Sequence, residues 1–255
     1  MQHKLFRLLL PATILLAAFV DPPRKRKLFL VGDSTMSDKV QKAFPETGWG
    51  TMFAKFVDTS NTVVYNRAQN GRSTKSFLAD NLWAPILDSL STGDLVLIQF
   101  GHNDEVPTKK QATTEAEFQQ NLLRYVSEAR ARKAIPILIT PAARRKFGPD
   151  GKLEDTHRVY AELVRKIAAK ESVPLIELDG KSQALLQSMG PESSKLLFNH
   201  LKPGEHPNYP EGKIDDTHFS ELGARRMAEI VYASLKELHP GDILDHFYKP
   251  IPKKN

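Results

Sequence analysis

Five short apolar runs, separated by stretches whose apolar residues recur at helical spacing, constrain the fold more than any other feature of this chain. The runs are Leu28–Val31, Thr62–Asn66, Asp94–Phe100, Ile135–Thr140 and Val173–Leu178. They recur about every 35 residues, too far apart for hairpins but right for strand, crossover helix and next strand. Runs this short and this uniformly apolar belong to strands covered on both faces. Between them, apolar periodicity predicts helices over Trp49–Val57, Ser76–Leu90 with a break near Pro85, Glu115–Lys133 and Asp155–Glu171, and a short helix is expected after the last run, over Lys181–Met189. A closing helix is expected over Ser220–Leu238. The pattern is plainest in Glu115–Lys133, where Phe118, Leu122, Tyr125, Val126 and Ala129 share one face. Such alternation gives an α/β fold, a three-layer α/β/α sandwich around a five-stranded parallel sheet. No shift in composition marks a second domain.

In a parallel sheet the loops after the strands leave from one edge, where ligands bind. Here those loops carry chemistry. The first strand stops at Gly32 and presents Asp33-Ser34-Thr35-Met36; the second runs into a turn-rich segment containing Gly71; the third ends in Gly101-His102-Asn103-Asp104. Asp215 and His218 stand just before the last helix, at the end of a proline-rich stretch from Gly190 to Asp216 that is too long for an idle connection.

Taken alone, Ser34 reads equally well as a helix cap. Taken together, these positions meet the demands of acyl transfer. A serine hydroxyl needs a base within hydrogen-bond reach, and His218 is the residue type suited to supply one. The base needs an orienting carboxylate, which the Asp-x-x-His turn supplies in Asp215; Asp216 stands one residue off that spacing. A tetrahedral intermediate needs donors aimed at its oxyanion. The N–H groups of Ser34 and Gly71 and the side-chain amide of Asn103 are the candidates.

The termini bear on location. Lys4 and Arg7 precede an apolar run from Leu8 to Val20, which is about thirteen residues, short of the roughly 20 that a spanning helix needs. Residues 1–20 read as a signal peptide, 21–27 as a solvated linker carrying the basic run Arg24–Lys27, and 28–250 as the domain. A secreted or periplasmic protein is expected, with no stable membrane association once the signal is removed. The chain has no cysteine, which removes disulfides, thiol nucleophiles and cysteine zinc sites. The net charge of +6 is mild, and no nucleic-acid module accompanies it, so no nucleic-acid partner is expected.

The ordered blocks Gly32-Asp33-Ser34, Gly71, Gly101-His102-Asn103-Asp104 and Asp215-x-x-His218 resemble those of the SGNH, or GDSL-type, hydrolases. The resemblance covers nearly the whole domain and implies a flavodoxin-like sheet of order 2-1-3-4-5. Gly32-Asp33-Ser34-Thr35-Met36, Asn70-Gly71-Arg72-Ser73, Thr140–Phe147 and Pro207–Gly212 are similar to the rhamnogalacturonan acetylesterase branch. That branch implies a secreted esterase that removes acetyl groups from pectic polysaccharide, with no cofactor and no metal. Its partner would be an acetylated polysaccharide or oligosaccharide. An acetylxylan esterase, a lipase or lysophospholipase of the same superfamily, and a non-catalytic carbohydrate-binding protein remain alternatives. Asp33, Arg72, His102, His200 and His206 are candidate substrate contacts; His102 is also suited to shaping the Asn103 turn. Arg72, Arg144 and Arg145 have the bidentate geometry for galacturonate carboxylates, although Arg144 and Arg145 read as readily as solvated surface. His157 reads as packing or surface, and Trp49 and Trp83 as core.

Overall fold

The structure, a computed structural model, describes residues 24–238. The signal segment predicted over 1–20 and the end of the domain, 239–250, lie outside the described residues. Five strands form one parallel sheet: β1 (Arg26–Gly32), β2 (Thr62–Asn66), β3 (Leu95–Gln99), β4 (Ile135–Ile139) and β5 (Leu175–Ile176). Their order is β2-β1-β3-β4-β5, as the resemblance implies. In register, Leu28 of β1 lies opposite Val64 on one side and Leu95 on the other.

The period-2 alternation of β1 divides the core into two layers. Leu28 and Leu30 face one cluster, which is completed by α1 (Trp49–Phe53), α6 (Leu178–Ser193) and α7 (Glu221–Glu237). Phe29 and Val31 face the other, completed by α2 (Thr74–Ala79), α3 (Ala84–Ser89), α4 (Glu115–Ala131) and α5 (Arg158–Lys170). Leu28, Leu30 and Val31 are fully buried, and each such aliphatic side chain contributes about 1.5–3 kcal/mol through loss of water contact. This is why β1 stays central and its C-terminal end is held firmly. Trp49 and Trp83 are core residues.

Three expectations are corrected. The expected linker 21–27 is not wholly solvated: β1 already begins at Arg26, and Arg24 pairs at 2.9 Å with Asp94. Asp94 is completely buried, so its carboxylate demands a cation, and the basic run supplies it. The fifth strand shrinks to Leu175–Ile176 because Glu177 leaves the sheet to cap α6, accepting from the Gly180 N–H at 3.1 Å. Arg165 fixes that exit by gripping Glu177 at 2.8 and 2.7 Å and Asp179 at 2.9 Å. The break expected near Pro85 in Ser76–Leu90 is present but lies earlier, between Ala79 and Ala84, where Asn81 has a φ of 54° and Pro85 falls in the first turn of the second helix.

The Gly190–Asp216 stretch folds back on the body. Leu201 pairs with Lys213, and Phe198 with Phe219. The Asn208 amide donates to the carbonyls of Gln41 and Phe44, and the Tyr209 hydroxyl to that of Ala43. This docking delivers Asp215 and His218 to the carboxyl edge of the sheet.

Candidate active site

The nucleophile turn is built by Gly32 and Asp33. A Cβ on Gly32 would stand 2.5 Å from the Gln99 carbonyl, so only glycine lets β1 end against β3. Asp33 then closes the turn inward, accepting from the Thr35 N–H at 2.9 Å and the Thr35 hydroxyl at 2.8 Å. It is fully buried, and burial raises its carboxyl above the ordinary value despite those bonds. Gln99 donates to the Thr35 hydroxyl at 2.8 Å and accepts from the Trp49 indole at 2.6 Å, which locks the turn to the core.

That turn sets the Ser34 hydroxyl 2.9 Å from His218 Nε2. His218 Nδ1 lies 2.9 Å from Asp215 Oδ2. The other oxygen of Asp215 accepts from the N–H groups of Thr217 and His218, each at 2.9 Å. Burial alone would raise the Asp215 carboxyl. The His218 hydrogen bond and charge, with the two backbone donors, outweigh it and hold the group well below the carboxylate range. Asp215 is therefore anionic across the working pH range and keeps the Nδ1 proton in place, leaving Nε2 to accept from Ser34.

Ser34, Asn70, Gly71, His102, Asn103, Arg144 and His218 line one open, polar cavity of about 410 Å³. Gly71 has a φ of +72°, a left-handed conformation that glycine adopts without strain. Among the described residues, the N–H groups of Ser34 and Gly71 have no backbone acceptor. Asn103 donates from Nδ2 to the Arg72 carbonyl at 3.0 Å and accepts at Oδ1 from Lys109 Nζ at 2.6 Å. One Nδ2 hydrogen is thus used locally, and the amide retains a second.

The candidate substrate contacts separate. His102 lines the cavity but is almost fully buried, its ring 4.3 Å from that of His157. Burial, reinforced by the charges of His157 and Arg144, holds it well below the usual imidazole value, so it is neutral. Asp33 faces inward. The Arg72 guanidinium lies 2.9 Å from Asp80 and lines an adjoining cavity of about 420 Å³ that shares Gly71 with the first. His200 and His206 line neither cavity: His200 meets Asp216 at 2.7 Å, and His206 pairs with Tyr209 in the long loop. Asp216 is committed to His200 and Arg145, so it does not compete for His218. Arg145 is therefore a structural ion pair rather than free surface. Arg144 pairs with Glu105 at the cavity wall, and Glu105 also holds the buried His157 at 2.9 Å.

Sequence reasoning missed Lys39, Glu46, Lys109 and Lys213, which all sit beside the machinery. Lys213 and Glu46 are 167 positions apart and carry no spacing signal. Glu46, Asp215 and His218 present ligand-type atoms within 4.8 Å of one another. The ammonium groups of Lys39 and Lys213 already stand against these carboxylates, where a metal's charge would be needed.

A hydroxyl, an imidazole and a carboxylate in this relay, at the carboxyl edge of a 2-1-3-4-5 parallel sheet, define a serine ester hydrolase with a flavodoxin-like core. The chain belongs to the GDSL-like lipase/acylhydrolase family, whose model matches residues 30–226. It is 40% identical over 214 residues to the rhamnogalacturonan acetylesterase RhgT of Bacillus subtilis strain 168, covering 83% of this chain and 90% of RhgT. It is 33% identical over 213 residues to the probable rhamnogalacturonan acetylesterase YesY of the same organism, covering 83% of this chain and 93% of YesY. The crystal structure of the Bacillus subtilis protein YxiM superposes with a TM-score of 0.73 at 28% identity, covering 85% of this chain and 58% of that one.

Proposed function

We propose that this protein is a carbohydrate acetylesterase that deacetylates a pectic polysaccharide of the rhamnogalacturonan type by a Ser-His-Asp mechanism. The observation that carries the reading is the unbroken relay from Ser34 Oγ through His218 to Asp215, opening into a polar cavity. The relatives RhgT and YesY support the substrate class.

In the first half-reaction Ser34 Oγ attacks the acetyl carbonyl while His218 Nε2 takes its proton. The oxyanion is held by the N–H groups of Ser34 and Gly71 and by Asn103 Nδ2. As the intermediate collapses, His218 returns the proton to the departing sugar oxygen, leaving acetyl on Ser34. Water, deprotonated by His218, then attacks that ester; acetate leaves and the proton returns to Ser34. Asp215 stabilises the imidazolium in both halves. The open polar cavity suits a short acyl group on a sugar better than a long acyl chain. Lys75 and Lys110, beside the Arg72–Asp80 pair around the adjoining cavity, leave a net positive charge that favours an acidic polymer over a neutral one. The segment up to Val20 is proposed to export the protein, as a polymer substrate outside the cell requires.

Acetate release from acetylated rhamnogalacturonan, acetylated xylan and nitrophenyl esters of increasing chain length tests this. The expected result is fastest release from the pectic polymer, a sharp decline beyond acetyl, and no turnover by Ser34→Ala. Preference for xylan or long acyl esters would overturn the substrate assignment; full activity of Ser34→Ala would overturn the mechanism.

A further inference from the structure

The proposed triad is part of a closed ring of charges. Lys39 Nζ donates to the carbonyl of Ser34 itself at 2.6 Å and to Asn70 Oδ1 at 2.7 Å, and lies 2.8 Å from Glu46 Oε1. Glu46 Oε2 is 3.4 Å from Lys213 Nζ, and Lys213 Nζ is 3.4 Å from Asp215 Oδ2. Asp215 holds His218, and His218 meets the Ser34 hydroxyl, which closes the circuit on the residue where it began. The Lys39 side chain is 1% exposed and that of Glu46 10%. Four separate chain segments contribute, tied together by the docking of the long loop on Gln41–Phe44 and by the Thr47 N–H on the Phe219 carbonyl at 2.9 Å.

A buried lysine that spends its hydrogens on the nucleophile's own carbonyl and on the residue before Gly71 fixes two oxyanion donors relative to one another. The two ammonium groups and two carboxylates cancel while His218 is neutral. When His218 takes the proton of Ser34, the ring gains a positive charge with two carboxylates beside it.

We propose that Lys39, Glu46 and Lys213 are positioning residues of the reaction, with Glu46 a second carboxylate that stabilises the His218 imidazolium beside Asp215. The proposal rests on the Ser34–His218 reading of catalysis. The same balance is seen from Glu46: burial would raise its carboxyl, but His218, Lys39 and Lys213 together bring it below the ordinary value. Other charged or titratable groups near His218 are His102, Arg144 and Lys109 on the cavity wall and the buried Asp33 beneath the nucleophile turn, and every variant below leaves them in place.

The test is the pH profile of kcat/KM for a small acetyl ester, whose acid limb reports protonation of the base in the free enzyme. Glu46→Gln keeps an oxygen for Lys39 but removes the charge. The protonated base then loses support, so the acid limb moves to lower pH by about one unit and kcat falls about tenfold with KM within twofold. Lys213→Met removes a cation and moves the limb the other way. Its side chain is 24% exposed, so this variant remains informative if Glu46→Gln does not fold. An unmoved limb in a folded variant, a shift of both in one direction, or a change in KM alone overturns the proposal. Retained activity of Ser34→Ala would instead overturn the catalytic reading on which it rests.

Discussion

Asp104 gives the sharpest physical test of how the site is held together. Its Oδ1 accepts from the Thr74 N–H at 2.9 Å, from the Thr74 hydroxyl, and from the Thr113 hydroxyl at 3.2 Å. It thereby ties the loop after β3, which carries Asn103, to the start of α2, just beyond Gly71. Its Oδ2 has no partner among the described residues, and the residue is 1% exposed. Burial pushes this carboxyl from 3.8 up to about 7, against the three hydrogen bonds that favour the anion. Below about pH 4 both the folded and unfolded chains carry the proton. Between there and about pH 7 the folded protein keeps it while the unfolded chain releases it, so stability falls as pH rises. A gap of about three pH units at about 1.4 kcal/mol each is about 4 kcal/mol, essentially all of it lost by pH 8.

Asp104→Asn keeps the Oδ1 acceptor and has no charge to bury. Urea unfolding of both proteins at pH 4 and pH 8 measures the difference. The Asn variant should gain about 4 kcal/mol on the parent between the two pH values. Burial also raises Asp33 and Asp179, but both are present in both proteins, and their direct contributions cancel in the comparison. A stability difference that stays constant with pH would refute the reasoning and mean that Asp104 is ionised in the folded protein.

Other predictions follow from single contacts. Asn103→Ala should lower kcat about 10²–10³-fold with little change in KM, the cost of one oxyanion donor, measured on an acetyl ester. Lys109 holds the Asn103 oxygen at 2.6 Å and, together with the Arg72 carbonyl on Nδ2, sets the orientation of the amide. Lys109→Met, which leaves the Arg72 carbonyl alone to orient that amide, should cost about tenfold in kcat, in keeping with a hydrogen bond to a charged group. Gly32→Ala drives a methyl against the Gln99 carbonyl and should destabilise the fold by about 1–3 kcal/mol, read as a lowered Tm with a parallel loss of turnover.

The parts legible in the sequence were those governed by local pattern. Apolar runs located all five strands, most plainly β3, which is buried throughout, and less so the half-buried edge strand β2; the helix stripes placed α4, α5 and α7 within a few residues. Boundaries failed where a long-range polar contact intervened: Glu177 left β5 for Arg165 and the cap of α6, and Arg24 was drawn in by the buried Asp94. Among the site residues, Ser34, Gly71 and Asn103 were marked by following strands, and Asp215 and His218 by their mutual spacing. The ring of His200 is held by Asp216, sixteen residues away, and nothing local in the sequence signals that contact.

The sequence by itself determined the layered α/β architecture, the edge of the sheet at which chemistry gathers, and the residue types that gather there. These follow from periodicities of two and about 3.6 and from the direction of parallel strands. Only the tertiary structure decided that Lys39 and Glu46 close a charge ring with Lys213 and Asp215, that Asp104 is a buried acid, and that Lys109 orients the Asn103 amide. Each of these depends on a distance of a few ångströms between side chains remote in sequence. Their electrostatic energy scales with separation and burial, and neither quantity is written in the order of the residues.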